Sequence, residues 1–585
     1  MKPDRSTGMF QSLLTGLVAL AIAFAALPVR ADVMPIITGN ERFHPVHARN
    51  GMVASQEAAA SQIGLSILER GGNAVDAAVA TAFALAVTLP RAGNLGGGGF
   101  MLVHLAESGE TVAIDYRETA PAAATRDMFL APDGKADPKL SRDSGLGVGV
   151  PGTVAGLALA HARYGSGKFS LADLIAPAAA LAGTGITVSD DLAMSLASAA
   201  ERLTRFNSTR TIFYTADGEP PQPGSRLVQK DLGLTLRAIA TGGPEAFYTG
   251  EIAERIAASV RDAGGVMTVD DLAGYKPKLR EPVRGTYRGH EIVSMPPPSS
   301  GGIHILQILK MLEGFDLAGA GAGSALHYHL LAEAMRRAYA DRATYLGDPD
   351  HVAVPVEALL DDEYLKARAT GIDPRTATPS SDISAGTLPR DESEQTTHFS
   401  VVDRFGNAVA NTYTLNFSYG LGQVAQGTGV LLNNELDDFA AAPGVPNAYG
   451  LIGGEANAPA PAKRPLSSMS PTFVFTGGKL RLVTGTPGGS RIISMVAQVV
   501  SDMVDFGMNP AEAVAFPRMH HQWYPDILWL EKGVSPDTAR LLERMGHTVK
   551  TSRAAGSVQS IMIIDEGLLA GASDPRRPGA GVAAY

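Results

Sequence analysis

The spacing of hydrophobic and polar residues predicts helices near the start of the chain. Small and apolar residues recur at helical spacing over residues 58–68, and Gly71-Gly72-Asn73 ends that run. A second run, over residues 74–89, is apolar on every side, which is typical of a helix inside a core. We therefore expect residues 51–90 to be mainly helical.

Alternation of apolar and polar residues predicts paired strands in other parts of the chain. These strands are expected over residues 100–104 with 112–116, 397–402 with 408–416, and 472–475 with 480–484. Residues 150–347 are predicted to be mostly helical, and a further apolar helix is expected from Ile492 to about Val504. The pattern therefore indicates a large fold of mixed helices and strands.

A change in composition predicts an internal boundary before Thr396. Residues 371–395 are rich in Asp, Pro, Ser, Thr and Glu, so we expect an exposed, mobile segment there. Thr396 follows this segment and opens a predicted strand. A threonine with a free amino group carries nucleophile and base together, because an α-amino group has a pKa of about 7.7–8.0. Thr396 is therefore a candidate nucleophile created by self-cleavage.

A glycine pair between a predicted strand and a predicted helix is a candidate oxyanion site. Backbone N–H groups at such a turn carry partial positive charge, so Gly488 and Gly489 could hold an oxyanion. On this pattern alone, a tight turn that permits close helix packing is the favoured explanation of the two glycines. Other polar residues in predicted loops, which solvation alone could explain, are Ser467, Ser468, Glu435, Asp437 and Asp438.

The first 31 residues are typical of a secretory signal. Lys2 and Arg5 precede an apolar run over residues 13–27, and Val29-Arg30-Ala31 offers small residues at the cleavage positions. The apolar run is short for a membrane span. We expect a mature chain from about Asp32, located in the periplasm or outside the cell and not bound to a membrane.

The composition argues against several kinds of site. The 585 residues include no Cys, which excludes disulfides, thiolate metal ligands and a cysteine nucleophile. The formal net charge of −10 argues against nucleic acid as a partner. His520-His521 could bind a metal, but adjacent residues of an extended chain point to opposite faces, so a structural role is favoured. We expect no metal and no cofactor.

Seven motifs follow one another along nearly the whole chain. They are Gly72–Ala78, Asp115–Glu118, Thr396–His398, Tyr413–Asn416, Leu432–Phe439, Pro465–Pro471 and Thr486–Arg491. With these motifs the chain resembles the precursor of a γ-glutamyltransferase (γ-glutamyl transpeptidase, glutathione hydrolase). That family belongs to the N-terminal nucleophile hydrolase superfamily.

The resemblance implies a role for each motif residue. Thr396 would be the nucleophile of turnover and of self-cleavage after Gln395, and Thr414 would orient it. The N–H groups of Gly488 and Gly489 would form the oxyanion hole. The ligands of the substrate α-carboxylate would be Arg117, Ser467 and Ser468, and those of its α-ammonium Asn416, Glu435 and Asp438.

The physical chemistry of these residues agrees with the implied roles. The planar cationic fork of Arg117 suits a carboxylate, and the carboxylate of Asp438 suits an ammonium group. Charged hydrogen bonds of this kind are worth roughly 1.5–3 kcal/mol each. Thr396 would attack the γ-carbonyl, and water or an acceptor amine would then break the ester, which predicts ping-pong kinetics.

The resemblance also implies the architecture and the partners. We expect a four-layer αββα sandwich, built jointly by a large chain of residues 32–395 and a small catalytic chain of residues 396–585. The two chains would form a heterodimer. The expected donors are glutathione and other γ-glutamyl compounds, and the expected acceptors are water, amino acids and dipeptides.

Two features vary within the family. Glu435 stands where several bacterial members carry glutamine, which leaves its effect on the choice of acceptor open. Residues 443–454, with Tyr449, resemble a lid that would limit acceptor size.

Two other functions remain as alternatives. The first is an acylase of the same superfamily that acts on glutaryl groups, as cephalosporin acylases do; Asp438 argues against it, because a glutaryl group has no ammonium to pair with. The second is an uncleaved binding protein for γ-glutamyl peptides. Thr396, Thr414 and the two glycines argue against that function, because binding alone requires neither a nucleophile nor an oxyanion hole.

Overall fold

The computed structural model describes residues 42–384, 396–442, 453–564 and 567–585. The predicted signal segment, Gln395 and Tyr449 lie outside these residues. Within residues 45–585, strands form where short runs of β-branched and aromatic residues are buried. In chain order they are β1 (Val46–Ala48), β2 (Gly51–Ser55), β3 (Gly98–His104), β4 (Thr111–Tyr116), β5 (Ile186–Thr187), β6 (Arg226–Leu227), β7 (Lys278–Arg280), β8 (Val283–Tyr287), β9 (His290–Ser294), β10 (Thr397–Asp403), β11 (Ala408–Thr414), β12 (Thr472–Thr476), β13 (Lys479–Thr484), β14 (Met519–His520), β15 (Leu528–Glu531), β16 (Val549–Ser552), β17 (Gln559–Ile563), β18 (Leu569–Ser573) and β19 (Gly581–Ala584).

Helices fill most of the region between β4 and β10. In chain order the helices of the described residues are α1 (Ala58–Glu69), α2 (Ala74–Thr88), α3 (Pro138–Arg142), α4 (Thr153–Tyr164), α5 (Leu171–Thr184), α6 (Asp190–Ser198), α7 (Ala200–Leu203), α8 (Asn207–Phe213), α9 (Lys230–Gly242), α10 (Glu245–Tyr248), α11 (Gly250–Asp262), α12 (Val269–Gly274), α13 (Gly301–Leu312), α14 (Leu317–Ala320), α15 (Ala325–Tyr345), α16 (Val356–Leu359), α17 (Asp362–Thr370), α18 (Arg491–Asp505), α19 (Pro510–Ala515) and α20 (Pro536–Arg544). The predicted helices near residues 58, 74 and 492 are thereby confirmed.

Two seven-stranded sheets lie at the centre. The first sheet has the strand order β19-β2-β10-β11-β3-β4-β7, and the second has the order β1-β18-β17-β13-β12-β9-β8. The three predicted strand pairs, β3 with β4, β10 with β11 and β12 with β13, are all present and antiparallel. In the first sheet, β10 and β11 are inserted between β2 and β3, so strands from both sides of Thr396 share hydrogen bonds.

Alternation along the strands of the first sheet separates two hydrophobic cores. Val53 of β2 and Val103 of β3 belong to a core with α1, α2, α4 and α5. Their neighbours Met52 and Leu102 point the other way, into a core with the second sheet and with α13, α15 and α18. This order of layers is the predicted αββα sandwich.

One expectation was wrong, and two others were incomplete. Residues 51–55 form the buried strand β2 rather than part of a helix. Residues 150–347 are mostly helical as predicted, and they also contain β7, β8 and β9 between residues 278 and 294. The segment expected to be exposed and mobile after Gly371 is mostly exposed over residues 371–384, but it is anchored at Ser380, whose buried hydroxyl donates to the carbonyl oxygen of Trp523 at 2.6 Å.

Candidate active site

Thr396 lies at the start of β10, opposite the end of β11. Thr397 pairs with Tyr413 in the antiparallel ladder, so the register carried one residue further places Thr396 opposite Thr414. Thr396 is 5% exposed, and both threonines line the same cavity. The Thr414 hydroxyl oxygen accepts a hydrogen bond from the backbone N–H of Asn416 at 2.9 Å. The fold therefore brings together the predicted nucleophile and the threonine predicted to orient it.

Asn416 is held beside the two threonines in an unusual backbone conformation. Its φ is 73°, a left-handed value that asparagine tolerates better than most residues. Its side-chain amide donates to the carbonyl oxygen of Asn434 at 2.9 Å, which connects it to the turn that carries Glu435. Asn416 thereby joins the end of β11 to the turn that carries Glu435 and Asp438.

Gly488 and Gly489 form a sharp turn before α18. Their φ values are 143° and 54°, and a Cβ on Gly488 would lie 2.3 Å from the Cε atom of Met495. Their carbonyl oxygens accept from the N–H groups of Arg491 and Ile492. Among the described residues, neither glycine N–H has an acceptor. Gly489 lines the cavity, which makes its N–H a candidate donor to a ligand there.

Ser467 and Ser468 line the cavity, and the oxygen of each hydroxyl accepts a hydrogen bond. The Ser467 hydroxyl oxygen accepts from the backbone N–H of Met469 at 3.1 Å, and the Ser468 hydroxyl oxygen accepts from Arg342 at 3.4 Å. A hydroxyl has one hydrogen to donate, and within the described part of the chain neither serine donates it to another group. Both hydroxyls can therefore donate to an anion in the cavity.

Arg117 connects the end of β4 with the acidic turn at Glu435–Asp438. Its guanidinium donates to the Glu435 carboxylate and, at 2.5 Å, to the Asp438 carboxylate. Burial alone would lower the pKa of Arg117, but the neighbouring carboxylates raise it above its ordinary value. Burial raises the pKa of both carboxyls, and the charge of Arg117 opposes that shift. Arg117 thus remains cationic between two buried acids.

Glu118 is a third acid in this cluster, and sequence reasoning gave it no role. One of its carboxylate oxygens lies 3.7 Å from the Arg117 guanidinium, and neither oxygen has a hydrogen-bond partner within the described residues. Burial, opposed by Arg117, raises the pKa of Glu118 to about 7. The signal that was present in the sequence is its position directly after Arg117 in the Asp115–Glu118 motif.

One cavity contains nearly all the predicted site residues. Those that line it are Arg117, Thr396, Thr414, Asn416, Glu435, Asp438, Ser467, Ser468 and Gly489. Gly488 lies next to this lining in the chain, while Gln395 and Tyr449 are outside the described residues. Sequence reasoning missed the four remaining lining residues, which are Arg342, Met469, Ser490 and Ile492. Arg342 could have been noticed as a charge inside the long helical pattern before residue 347.

The histidines near the site are hydrogen-bonded to other groups of the fold. The ring nitrogens of His398 bond to the hydroxyl groups of Thr412 and Ser400, and burial lowers its pKa to about 3. His521 lies 3.1 Å from the Asp526 carboxylate. His398 is therefore neutral at physiological pH and does not supply a cation to the cavity.

Comparison with known proteins places this geometry in a family. The sequence profile described as Gamma-glutamyltranspeptidase matches residues 60–584. The chain belongs to the γ-glutamyltranspeptidase family. It is 55% identical over 545 residues to the "Glutathione hydrolase proenzyme" of Escherichia coli (strain K12), with 93% of each chain covered. The chain is therefore an enzyme of the γ-glutamyltranspeptidase type.

Solved structures of the superfamily agree with the fold. A cephalosporin acylase from Bacillus halodurans is similar with a TM-score of 0.80 at 29% identity, over 95% of this chain and 98% of the other. The Helicobacter pylori γ-glutamyltranspeptidase is similar with a TM-score of 0.55 at 49% identity, over 56% of this chain and 93% of the other. Within the described residues of this family member, no helix is both long and apolar enough to cross a membrane.

Proposed function

We propose that this enzyme transfers the γ-glutamyl group of glutathione and related compounds to water or to an amine, through an ester on Thr396. The observation that carries this proposal is the shared cavity of Thr396, Arg117 and Asp438. It places a candidate nucleophile beside a buried cation and a buried anion. A γ-glutamyl donor has a matching carboxylate, ammonium and amide carbonyl.

Catalysis proceeds in two acyl-transfer steps. The α-amino group of Thr396, once freed, takes the hydroxyl proton as the oxygen attacks the γ-carbonyl carbon. The N–H groups of Gly488 and Gly489 stabilise the negative charge that develops on the carbonyl oxygen. The amine product leaves with a proton, and water or an acceptor amine then attacks the ester and restores the hydroxyl. Thr414 holds Thr396 in position.

Recognition of the substrate headgroup involves an exchange of ionic partners. Arg117 and the hydroxyls of Ser467 and Ser468 bind the α-carboxylate. Glu435, Asp438 and the side chain of Asn416 receive the α-ammonium. Support comes from the contact of Arg117 with both acids, because a zwitterion can insert between them and satisfy every charge.

Maturation makes the nucleophile available. The Thr396 hydroxyl attacks the carbonyl carbon of Gln395, the peptide becomes an ester, and water then separates chains of residues 32–395 and 396–585. The position of β10 and β11 between β2 and β3 supports a stable heterodimer, since separating the chains would break both ladders. We further propose removal of residues 1–31 on export to the periplasm or exterior, and a lid at Tyr449 that limits acceptor size.

The deciding experiment compares γ-glutamyl-p-nitroanilide with glutaryl-p-nitroanilide, with and without a dipeptide acceptor. We expect strong preference for the glutamyl compound and faster release with the acceptor. Equal or reversed preference would instead favour the glutaryl acylase, and no release from either would favour a binding protein.

Intact mass of wild type and Thr396→Ala tests maturation separately. The wild type should give two chains that meet at Gln395 and Thr396, and the variant one uncut chain. A variant that is still cut after Gln395 would contradict self-cleavage by this hydroxyl.

A further inference from the structure

Arg342 is a buried cation beside the headgroup residues, and the roles assigned above do not include it. It lies near the end of α15, is 5% exposed and lines the cavity. Among the described residues, no carboxylate lies within 4 Å of its guanidinium, whereas Arg117 contacts both Glu435 and Asp438. Burial lowers the pKa of Arg342 to about 10, so the side chain is still cationic at neutral pH. The charge of Asp438 acts on Arg342 from beyond that distance and partly opposes the effect of burial. A buried cation with no carboxylate in direct contact is costly and therefore calls for a functional explanation.

Arg342 contacts two serines instead of an acid. Its Nε donates to the Ser300 hydroxyl oxygen at 3.0 Å, and its Nη2 donates to the Ser468 hydroxyl oxygen at 3.4 Å. Ser300 in turn donates through its hydroxyl to the carbonyl oxygen of Ser467 at 2.7 Å. The planar guanidinium therefore connects to both serines of the cavity, to one directly and to the other through Ser300.

These contacts determine what the serine hydroxyls can offer a ligand. Because Ser468 accepts a hydrogen bond from a permanent donor, its own hydrogen is directed to another acceptor. Because Ser300 fixes the backbone of Ser467, the Ser467 hydroxyl keeps its place beside that of Ser468. Two converging O–H donors and a nearby positive charge form a site for a carboxylate.

We propose that Arg342 is the positioning and specificity-determining residue for the substrate α-carboxylate. It holds Ser468 as a donor, fixes Ser467 through Ser300, and supplies a positive charge that no described carboxylate contacts directly. This proposal rests on the proposed γ-glutamyl function. It assigns to Arg342 a contribution that depends on the substrate having an α-carboxylate.

The test uses two donors that differ only in that group, γ-glutamyl-p-nitroanilide and 4-aminobutanoyl-p-nitroanilide. In Arg342→Met, we expect the KM of the γ-glutamyl compound to rise about 10- to 100-fold with kcat changed much less. For the 4-aminobutanoyl compound, kcat/KM should change by less than about threefold. The preference for the carboxylate-bearing donor should therefore largely disappear.

Arg337→Met is the matched control on the same helix. Arg337 is buried, donates to the Glu333 carboxylate at 2.7 Å and does not line the cavity. The Arg337→Met variant should have a lower melting temperature and an unchanged preference between the two donors. If Arg342→Met lowers kcat/KM of both donors equally, Arg342 is only structural and the proposal is overturned.

Two further variants keep the test decisive. If Arg342→Met does not fold, Arg342→Lys replaces it in the test. Lysine keeps the charge but cannot contact two hydroxyls with a planar fork, so the donor preference should still fall. An unchanged donor preference in Arg342→Lys would overturn the proposal. In a Ser468→Ala background, Arg342→Met should raise the KM of the γ-glutamyl donor less than it does in the wild-type background.

The wild type separates failure of the proposed function from failure of this inference. If the wild type shows no preference for the γ-glutamyl donor, the proposed function is wrong. If the wild type shows that preference and Arg342→Met keeps it, only this inference is wrong.

Discussion

Arg117 donates a hydrogen bond to the Asp438 carboxylate at 2.5 Å, so two residues proposed to bind opposite ends of the substrate headgroup are paired with each other. Both side chains are largely shielded from water, with 0% and 13% of their surfaces exposed. Removing one partner of a buried pair typically costs about 3–5 kcal/mol, because a charge is left without a partner. A zwitterionic substrate can separate the pair at little cost, because it supplies a new partner for each charge.

Asp438→Asn should therefore weaken binding of donors that carry an α-ammonium. We expect kcat/KM for γ-glutamyl-p-nitroanilide to fall about 100-fold or more, mostly through KM, since the lost contact is a charged hydrogen bond in a buried site. Release from glutaryl-p-nitroanilide should fall much less. Asp537→Asn, at an exposed ion pair with Arg540, is the control and should change neither. Equal losses with both donors would argue against an ammonium site at Asp438.

Gly488→Ala should damage the turn that presents the oxyanion donors. The φ of 143° disfavours alanine, and the new Cβ would lie 2.3 Å from Met495. We expect kcat per mature active site to fall about 10- to 100-fold, with a smaller change in KM.

Gly477→Ala is the matched control for that glycine. The φ of Gly477 is 56°, and no atom lies within 4 Å of the added Cβ. The variant should therefore lose some stability, because alanine disfavours this φ, but keep its kcat unchanged. Steady-state kinetics of both variants provide the comparison. A normal kcat in Gly488→Ala would show that the turn does not need its present shape for catalysis.

Glu118 should make stability depend on pH. Its pKa is raised to about 7 by burial, so between the unfolded value of about 4.5 and that pH the folded protein holds more protons than the unfolded chain. Its contribution to stability therefore falls as pH rises through this window. As pH rises from 5 to 8, the free energy of unfolding of Glu118→Gln should therefore increase by about 1–3 kcal/mol relative to that of wild type.

Denaturant unfolding across that pH range checks the Glu118 prediction. Glu107→Gln, at an exposed position, should show no such trend against wild type. If the difference in free energy of unfolding between Glu118→Gln and wild type stays constant with pH, the Glu118 carboxyl does not titrate within this window.

Asp403→Ala should destabilise the junction between the β10–β11 turn and α2. Asp403 is buried and accepts from the backbone N–H groups of Ala74, Phe405 and Asn407 at 2.8–3.0 Å. Losing these bonds leaves the buried N–H of Ala74 and two partly buried N–H groups of the turn without their acceptor, so we expect a loss of about 2 kcal/mol or more in the free energy of unfolding. Melting curves should show a smaller loss for Asp173→Ala, an exposed capping residue of α5. An equal loss of stability in both variants would show that the burial of Asp403 does not increase the cost of removing its carboxylate.

Local sequence patterns were sufficient for most individual elements. The apolar run over 74–89 became α2, whose start is fixed by a capping box between Asn73 and Asp76. The hairpin after Thr396 was correctly predicted, because its turn and its alternation are local. Residues 51–55 were misassigned, since a short apolar run fits a buried strand as well as a helix. At 278–294, β8 and β9 form a local hairpin around Arg288 and Gly289 that was overlooked. The pairing of β7 with β4 and of β9 with β12 joins segments distant in sequence, which no local pattern reveals.

The sequence by itself determined the chemistry available to this protein: a threonine at a boundary, a glycine pair before a helix, serines and acids in loops, and motifs that identify the family. Only the tertiary structure decided which of these groups meet. Arg117 and Asp438 are 321 residues apart in the chain, and Arg342 reaches Ser468 from a helix that carries no motif. The physical reason is that sheet pairing and core packing join distant segments, and burial together with the charges brought close by the fold shifts the pKa values of Arg117, Glu118 and Arg342.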